Sequence, residues 1–223
     1  MTGLEQIPWL YDLGLWLAEV GGFGRWRRWL PGGAAGRTLD LGTGTGRNLP
    51  WLPSGVSALA VDPHPQNLAA ARRRAPGVAL VRARAEALPF RDGAFDTVLS
   101  GMVFCSVDDP AAGLAEVRRV LAPDGAFRLL EHVRATTAFR ARVQDLVQPA
   151  WTAVAGGCRP NRETERAVVA AGFEIEVASR RSQGTWRRLV ARPRPDQLAR
   201  LRAPPSSAST STSANQSESA RDP

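Results

Sequence analysis

Residues 39–48 read Leu-Asp-Leu-Gly-Thr-Gly-Thr-Gly-Arg-Asn, and this stretch decides the fold. An apolar strand begins near Arg37 and ends in an acid, Asp40. Gly42, Gly44 and Gly46 then stand at every second position. Glycines so spaced let the backbone come close to a ligand and reach φ/ψ regions closed to other residues. The pattern predicts a strand over 37–41, a tight turn, and a helix over 46–52. A dinucleotide site would need G-x-G-x-x-G/A. Counted from Gly42 the last position is Arg47, and counted from Gly44 it is Leu49, so neither register fits.

Working outward, strand and helix signals alternate, which predicts a parallel sheet. Further strands are expected at 57–61, 78–82, 95–100 and 126–131. Further helices are expected at 65–75 and 111–121, the latter with Leu114, Val117 and Leu121 at helical spacing. Pro123-Asp124-Gly125 reads as a turn before the fifth strand. Residues 136–154 read as a long helix broken or kinked near Pro149, and 161–171 as another, ended by Gly172. Two last strands, 173–179 and 186–191, would close the sheet as a hairpin. The expected fold class is α/β, a doubly wound, mostly parallel sheet of seven strands over residues 37–195.

Residues 1–36 carry Trp9, Trp16, Trp26 and Trp29, four of the seven tryptophans. Trp9, Leu13, Trp16, Leu17 and Val20 share one helical face, and an arginine-rich stretch (Arg25, Arg27, Arg28) follows Gly21-Gly22. The expectation is a helical lid that also packs on the core, with peripheral contact to a membrane surface as a further role of that helix. From Ala203 onward the chain is rich in Ser, Thr, Pro and Ala, so 196–223 is expected to be a disordered tail.

Composition narrows the function classes. A hydrophobic share of 43% supports a real core. No run of eighteen apolar residues suggests a membrane span, and no secretory leader is seen at the N-terminus. Cys105 and Cys158 form neither a CxxC pair nor a zinc spacing, so a cytoplasmic protein with free thiols and no metal is expected. Net charge is +8, carried entirely by arginine because lysine is absent. Arginine shares this abundance with Ala, Gly and Pro, and aromatics do not interleave with it as a stacking platform would need. Nucleic acid is therefore not an expected partner.

Several segments follow the glycine loop in an informative order. Asp62 ends the second strand, twenty residues after Gly42, where a carboxylate can accept from both ribose hydroxyls of an adenosine. Ala85-Glu86-Ala87-Leu88-Pro89-Phe90 follows the third strand, and Phe95 to Ser100 forms the fourth. Glu116 to Gly125 leads into the fifth strand, which ends at Leu130-Glu131-His132-Val133. In this order and spacing, residues 37–131 resemble class I S-adenosylmethionine (SAM)-dependent methyltransferases. Phe104-Cys105-Ser106-Val107, the Glu131-His132-Val133 block, and Gly157-Cys158 with Arg162 and Ala171-Gly172-Phe173 resemble the thiol S-methyltransferase branch and its bacterial relatives.

The resemblance implies a Rossmann-like methyltransferase fold with SAM as cofactor and a small or lipophilic acceptor, a thiol first. Quinone-ring or phospholipid-headgroup methylation is the alternative, and a non-catalytic SAM-binding module is the alternative of another class. The implied cofactor contacts are Asp40, Gly42, Gly44, Gly46, Asp62, Pro63, Ala85, Glu86 and Ser100. A carboxylate at Asp40 would repel a pyrophosphate and attract the ammonium group of the methionine part. Relatives often carry an acid just before the alanine of the Ala85 segment; here it is Arg84, which leaves adenine to the backbone at Ala85 and to Glu86.

Methyl transfer requires the nucleophile in line behind the methyl group, at about 3–3.5 Å. A thiol of pKa about 8.5 benefits from a base. His132, just past the fifth strand, is the candidate, with a structural role for its ring as the competing reading. Glu131 either orients His132 or caps a backbone amide. Asp108 and Asp109 read as a helix N-cap, and Arg159 and Arg162 as either anion contacts or surface charge.

Overall fold

The computed structural model describes residues 23–154 and 157–194. The tryptophan face of residues 9–20 and the tail from 196 lie outside them. Strand β1 (Arg37–Leu41) is flanked in parallel by β2 (Ser57–Asp62) and β4 (Phe95–Gly101), and β3 (Ala79–Arg82) extends the β2 side. Strand β5 (Leu121–His132) pairs in parallel with β4. On its other edge β8 (Trp186–Pro193) runs antiparallel and carries both β6 (Phe173–Ile175) and the short β7 (Arg181–Gln183). Seven strands lie in one path, β3-β2-β1-β4-β5-β8-β6, with β7 as an addition beside β8.

Helices cover both faces because the buried strands alternate apolar side chains to each. On β4, Val98 joins a cluster with Leu114, Val117, Phe127 and Phe173, while Leu99, one residue on, packs with Leu30 and Leu130. Helix α1 (Gly24–Gly32) covers the second face near β4 and β5. Helix α2 (Pro65–Arg74) covers β2 and β3. Helix α3 (Pro110–Val120) and α5 (Thr164–Ala170) lie together on the first face, and α4 (Ala138–Val154) joins β5 to α5. Phe104, Phe127 and Phe173 are each fully buried, worth about 1.5–3 kcal/mol apiece.

Strand β5 is tied to α1 by Arg128. Its Nε donates to the Leu30 carbonyl at 2.9 Å and its Nη2 to Trp29 at 2.6 Å, and the guanidinium lies 4.3 Å from the Trp29 ring. These bonds satisfy carbonyls that a helix end leaves free. Gly33 makes room: a Cβ there would fall 2.3 Å from the guanidinium.

Three element predictions need correction. No helix forms over 46–52; the loop tightens to a single 3-10 turn at Leu49–Trp51, because Pro50 and Pro53 remove amides that a longer helix needs. The fifth strand starts at Leu121, not 126. Pro123-Asp124-Gly125 bulges out of it, so that Phe95 pairs with Leu121 and Thr97 with Ala126. The strand expected over 173–179 stops at Ile175 and passes into a 3-10 turn at Val177–Ser179. Helix α4 runs unbroken through Pro149.

Candidate active site

The chain leaves β1 toward β2 and β3 on one side, and β4 and β5 lie on the other. A crevice therefore opens beyond the carboxyl ends of β1 and β4, where open α/β sheets place ligands. Register sets Leu41 beside Val61 and Ser100, which brings the ends of β1, β2 and β4 level.

Asp40 and Asp62 are both buried at this edge. Asp40 organises the loop that follows it: Oδ2 accepts from the Thr43 hydroxyl at 2.6 Å and Oδ1 from Asn48 Nδ2 at 2.9 Å. Burial raises its pKa, against the pull of these two donors and of the Arg27 charge from α1. Asp62 reaches across to the same loop. Its Oδ2 accepts from Gly44 N–H at 2.9 Å, and its Oδ1 from His64 N–H at 2.9 Å and Asn67 Nδ2 at 3.1 Å. Pro63 and His64 are partly buried beside it.

The loop glycines serve different neighbours. A Cβ on Gly42 would meet Val103 at 2.6 Å, and one on Gly46 would meet Ala71 of α2 at 2.9 Å. At Gly44, φ is +55° and nothing lies within 4 Å of the added Cβ. Gly44 thus forms an open backbone cradle next to the Asp62 carboxylate, a setting that fits a nucleoside carrying ribose hydroxyls.

On the far side of the crevice, Ala85 is buried against Gly113 of α3. Glu86 does not point free into the crevice. Its Oε1 accepts from the amides of Asp108 and Asp109 at 3.2 and 3.4 Å, and Arg84 lies 3.6 Å from its Oε2. Arg84 also pairs with Asp108. Asp109 is the N-cap of α3, accepting from Ala111 and Ala112. Arg119 fixes the Leu88–Asp92 stretch through the carbonyls of Leu88 and Phe90, Asp92 and Glu116.

The ends of β4 and β5 are built differently. Ser100 is fully buried, and its hydroxyl donates to Glu131 Oε1 at 2.8 Å, so its side chain faces β5 rather than the crevice. Met102 turns the chain out of β4 at φ +61°, the one non-glycine positive φ among the described residues. That conformation costs on the order of 1 kcal/mol and is over-determined by its surroundings. Glu131 accepts from the amides of Val103 and Phe104 at 3.1 and 3.3 Å, immediately after the turn. Of its two expected roles, Glu131 therefore performs the amide cap. Its Oε2 has no hydrogen-bond partner among the described residues, and the residue lines a cavity of about 10 Å³ with Thr164 and Val168. Burial pushes its carboxyl up to about 7, against the bonds from Ser100, Val103 and Phe104.

His132 projects from the opposite side of β5 to Glu131. Its ring stacks on Trp186 at 4.6 Å, its Nε2 lies 2.6 Å from the Thr185 hydroxyl, and Phe23 packs on the far side of that indole. The Cys158 pKa is lowered, first by the neighbouring Cys105 thiol and then by His132, while Cys158 and burial raise that of Cys105. Cys105 is buried and Cys158 partly so, and Arg159 N–H donates to the Cys105 carbonyl at 2.7 Å. Arg162 does not face an anion. Its Nη1 donates to the carbonyls of Phe104 and Val107 at 2.5 and 2.6 Å, clasping the loop after β4. Arg159 is exposed.

Sequence reasoning missed Thr43, Asn48 and Asn67, which satisfy the two aspartates, and Thr185 and Trp186, which hold His132. The first three sit three to eight residues from their partners, so a search for local donors to each acid finds them. Thr185 and Trp186 lie more than fifty residues from His132 and carry no local signal.

Comparison with known proteins accords with this geometry. Residues 39–129 match the family described as Methyltransferase domain. The chain is 34% identical over 143 residues to the human thiol S-methyltransferase TMT1A, covering 60% of this chain and 59% of that protein. It is 31% identical over 157 residues to the demethylmenaquinone methyltransferase of Renibacterium salmoninarum, covering 68% and 66%. The YcgJ protein of Bacillus subtilis superposes with a TM-score of 0.58 at 22% identity, over 69% of this chain and 68% of that one, a likeness of fold. The chain spans about three-fifths of the length of the thiol S-methyltransferases it matches. It is related to the class I SAM-dependent methyltransferases, and within them to the thiol S-methyltransferase branch.

Proposed function

We propose that this relative of the class I methyltransferases binds SAM across Gly44 and moves its methyl group to a small or lipophilic acceptor, a thiol first. The observation that carries the reading is the open backbone cradle at Gly44 set against the buried Asp62 carboxylate. Asp62 accepts from the ribose hydroxyls, and Asp40 keeps the loop in shape while its charge favours the ammonium end. Ala85 and Glu86 border the adenine. When bound, SAM supplies a methyl carbon on a positive sulfur, and its carbon–sulfur bond breaks as the acceptor's bond to carbon forms.

The chain's own residues then have defined tasks. His132 takes the thiol proton, held in orientation by Thr185 and by its stack on Trp186. Glu131 fixes the turn at Met102, which lies between the ends of β4 and β5. Arg162 closes residues 104–107 against the loop after α4 and limits water at the acceptor end. The fit to demethylmenaquinone methyltransferase keeps ring methylation as a second reading.

The test is incubation with isotope-labelled SAM and a panel of thiols, quinones, amines and lipids. A thiol product heavier by one methyl group supports the reading. A methylated quinone moves it to the second one. Tight SAM binding with no product across the panel leaves a binding module, and binding of a nicotinamide dinucleotide in place of SAM ends the proposal.

A further inference from the structure

Helix α4 is inside-out. Apart from the buried Ala141, its inward residues are polar: Gln144 accepts from the Ala135 amide and donates to the Val133 and Pro160 carbonyls at 3.1 and 2.7 Å. Thr152 donates to the Cys158 carbonyl at 3.0 Å, and Asp145 pairs with Arg134 and Asn161. Its outward residues are apolar. Phe139 is 78% exposed and Leu146 81%, with Val143, Val147 and Trp151 between 44% and 50%. Positions 139, 143, 147 and 151 recur every four residues, Leu146 follows Val143 by three, and the five form one stripe along the helix. A water-soluble surface rarely keeps such a stripe bare.

The flanks of the stripe are basic. Arg140 stands on one side and Arg142 on the other, both exposed and in no ion pair among the described residues. The helix's one acid, Asp145, is exposed and is neutralised by Arg134. The whole chain carries +8. We infer that the outward face of α4 docks on an anionic lipid surface, with the Phe139–Trp151 stripe entering the headgroup boundary and Arg140 and Arg142 meeting the phosphates. Apolar side chains flanked by arginines, with an aromatic ring at each end of the stripe, are what an interfacial helix needs. A second copy of this chain fits less well, since a twofold contact would bring arginine against arginine.

The location gives docking a consequence. The carbonyls of Val133 and Pro160 that Gln144 holds adjoin His132 and Arg159, and Thr152, next to Trp151, bonds the Cys158 carbonyl. Docking therefore sets the acceptor end of the sheet against the bilayer, where a lipophilic acceptor resides. The inference does not rest on the methyl-transfer reading, because its test needs no SAM.

The experiment is flotation of the full chain with phosphatidylcholine vesicles, with and without phosphatidylglycerol. The unaltered chain is expected to float with the anionic vesicles. F139Q/L146Q should lower that partition about tenfold or more while leaving the melting temperature unchanged, because both side chains are exposed. R140Q/R142Q should lower it several-fold and flatten its salt dependence. Equal flotation of all three proteins, or none by any, overturns the inference. A change in oligomeric state on F139Q/L146Q with flotation unaltered also overturns it, in favour of a protein covering this face.

Discussion

The two ends of the crevice are held by opposite means. Beyond β1 and β2, every oxygen of Asp40 and Asp62 has a donor at 2.6–3.1 Å, and all the donors come from residues 43–67. Beyond β4 and β5, Glu131 gathers residues 100–104, His132 is held by residues 185 and 186, and Arg162 reaches back to 104 and 107. The first end is a local device, saturated with hydrogen bonds. The second is assembled from distant segments and retains, among the described residues, an unpartnered carboxylate oxygen, with two free thiols beside it. A local device suits a ligand of fixed shape. An assembled one can be rebuilt for a new acceptor without disturbing the first.

That contrast breaks if substitutions at either end act on the same quantity. The largest effect is expected from Asp62→Ala, which should lower SAM affinity on the order of 1000-fold by calorimetry, since a charged acceptor for two hydroxyls is lost. Undiminished affinity would remove the assignment. His132→Ala should lower turnover about 100-fold with SAM affinity unchanged. Equal turnover at every pH would leave the ring a structural part only.

Glu131 sharpens the comparison through pH. Its carboxyl binds a proton more tightly in the folded chain, up to about 7 against an ordinary 4.5. Its contribution to stability is therefore fullest below 4.5 and is lost as pH rises through 7, by up to about 3 kcal/mol at about 1.4 kcal/mol per unit. Glu131→Gln should flatten the fall in melting temperature between pH 5 and 8. An unchanged slope would place the titration elsewhere. The smallest effect divides the loop itself. Gly44→Ala and Gly46→Ala share the penalty of a positive φ, but only the second collides with Ala71. Gly46→Ala should be less stable than Gly44→Ala by about 1–3 kcal/mol, while Gly44→Ala loses more SAM affinity. Equal melting temperatures would refute the division.

The same contrast explains how far the sequence could be read. The parallel core, the placement of Asp62 after β2 and the Asp109 cap follow from spacing alone, because each rests on residues within one strand–loop–helix unit. The helix over 46–52 fails because Pro50 and Pro53 outweigh a motif that usually opens one. The start of β5 is hidden because a turn signal, Pro123-Asp124-Gly125, sits inside a strand as a bulge. Ser100, expected at the cofactor, and Arg162, read as either an anion contact or surface charge, spend their polar groups on Glu131 and on the carbonyls of Phe104 and Val107. Both partners lie about thirty residues or more away, beyond the reach of any periodicity. The outward stripe of α4 is visible as a helical pattern, but only the contacts of Gln144 and Thr152 reveal which face is outward.

Arg128 makes β5 a common spine for two distant parts of the chain. Its guanidinium seals the last turn of α1, and His132 stands four residues further along the same strand. The end of α1 and the candidate base are thus joined through one β-strand, with no loop between Arg128 and His132. Gly33 guards the joint, since any side chain there would evict the arginine and uncouple the two.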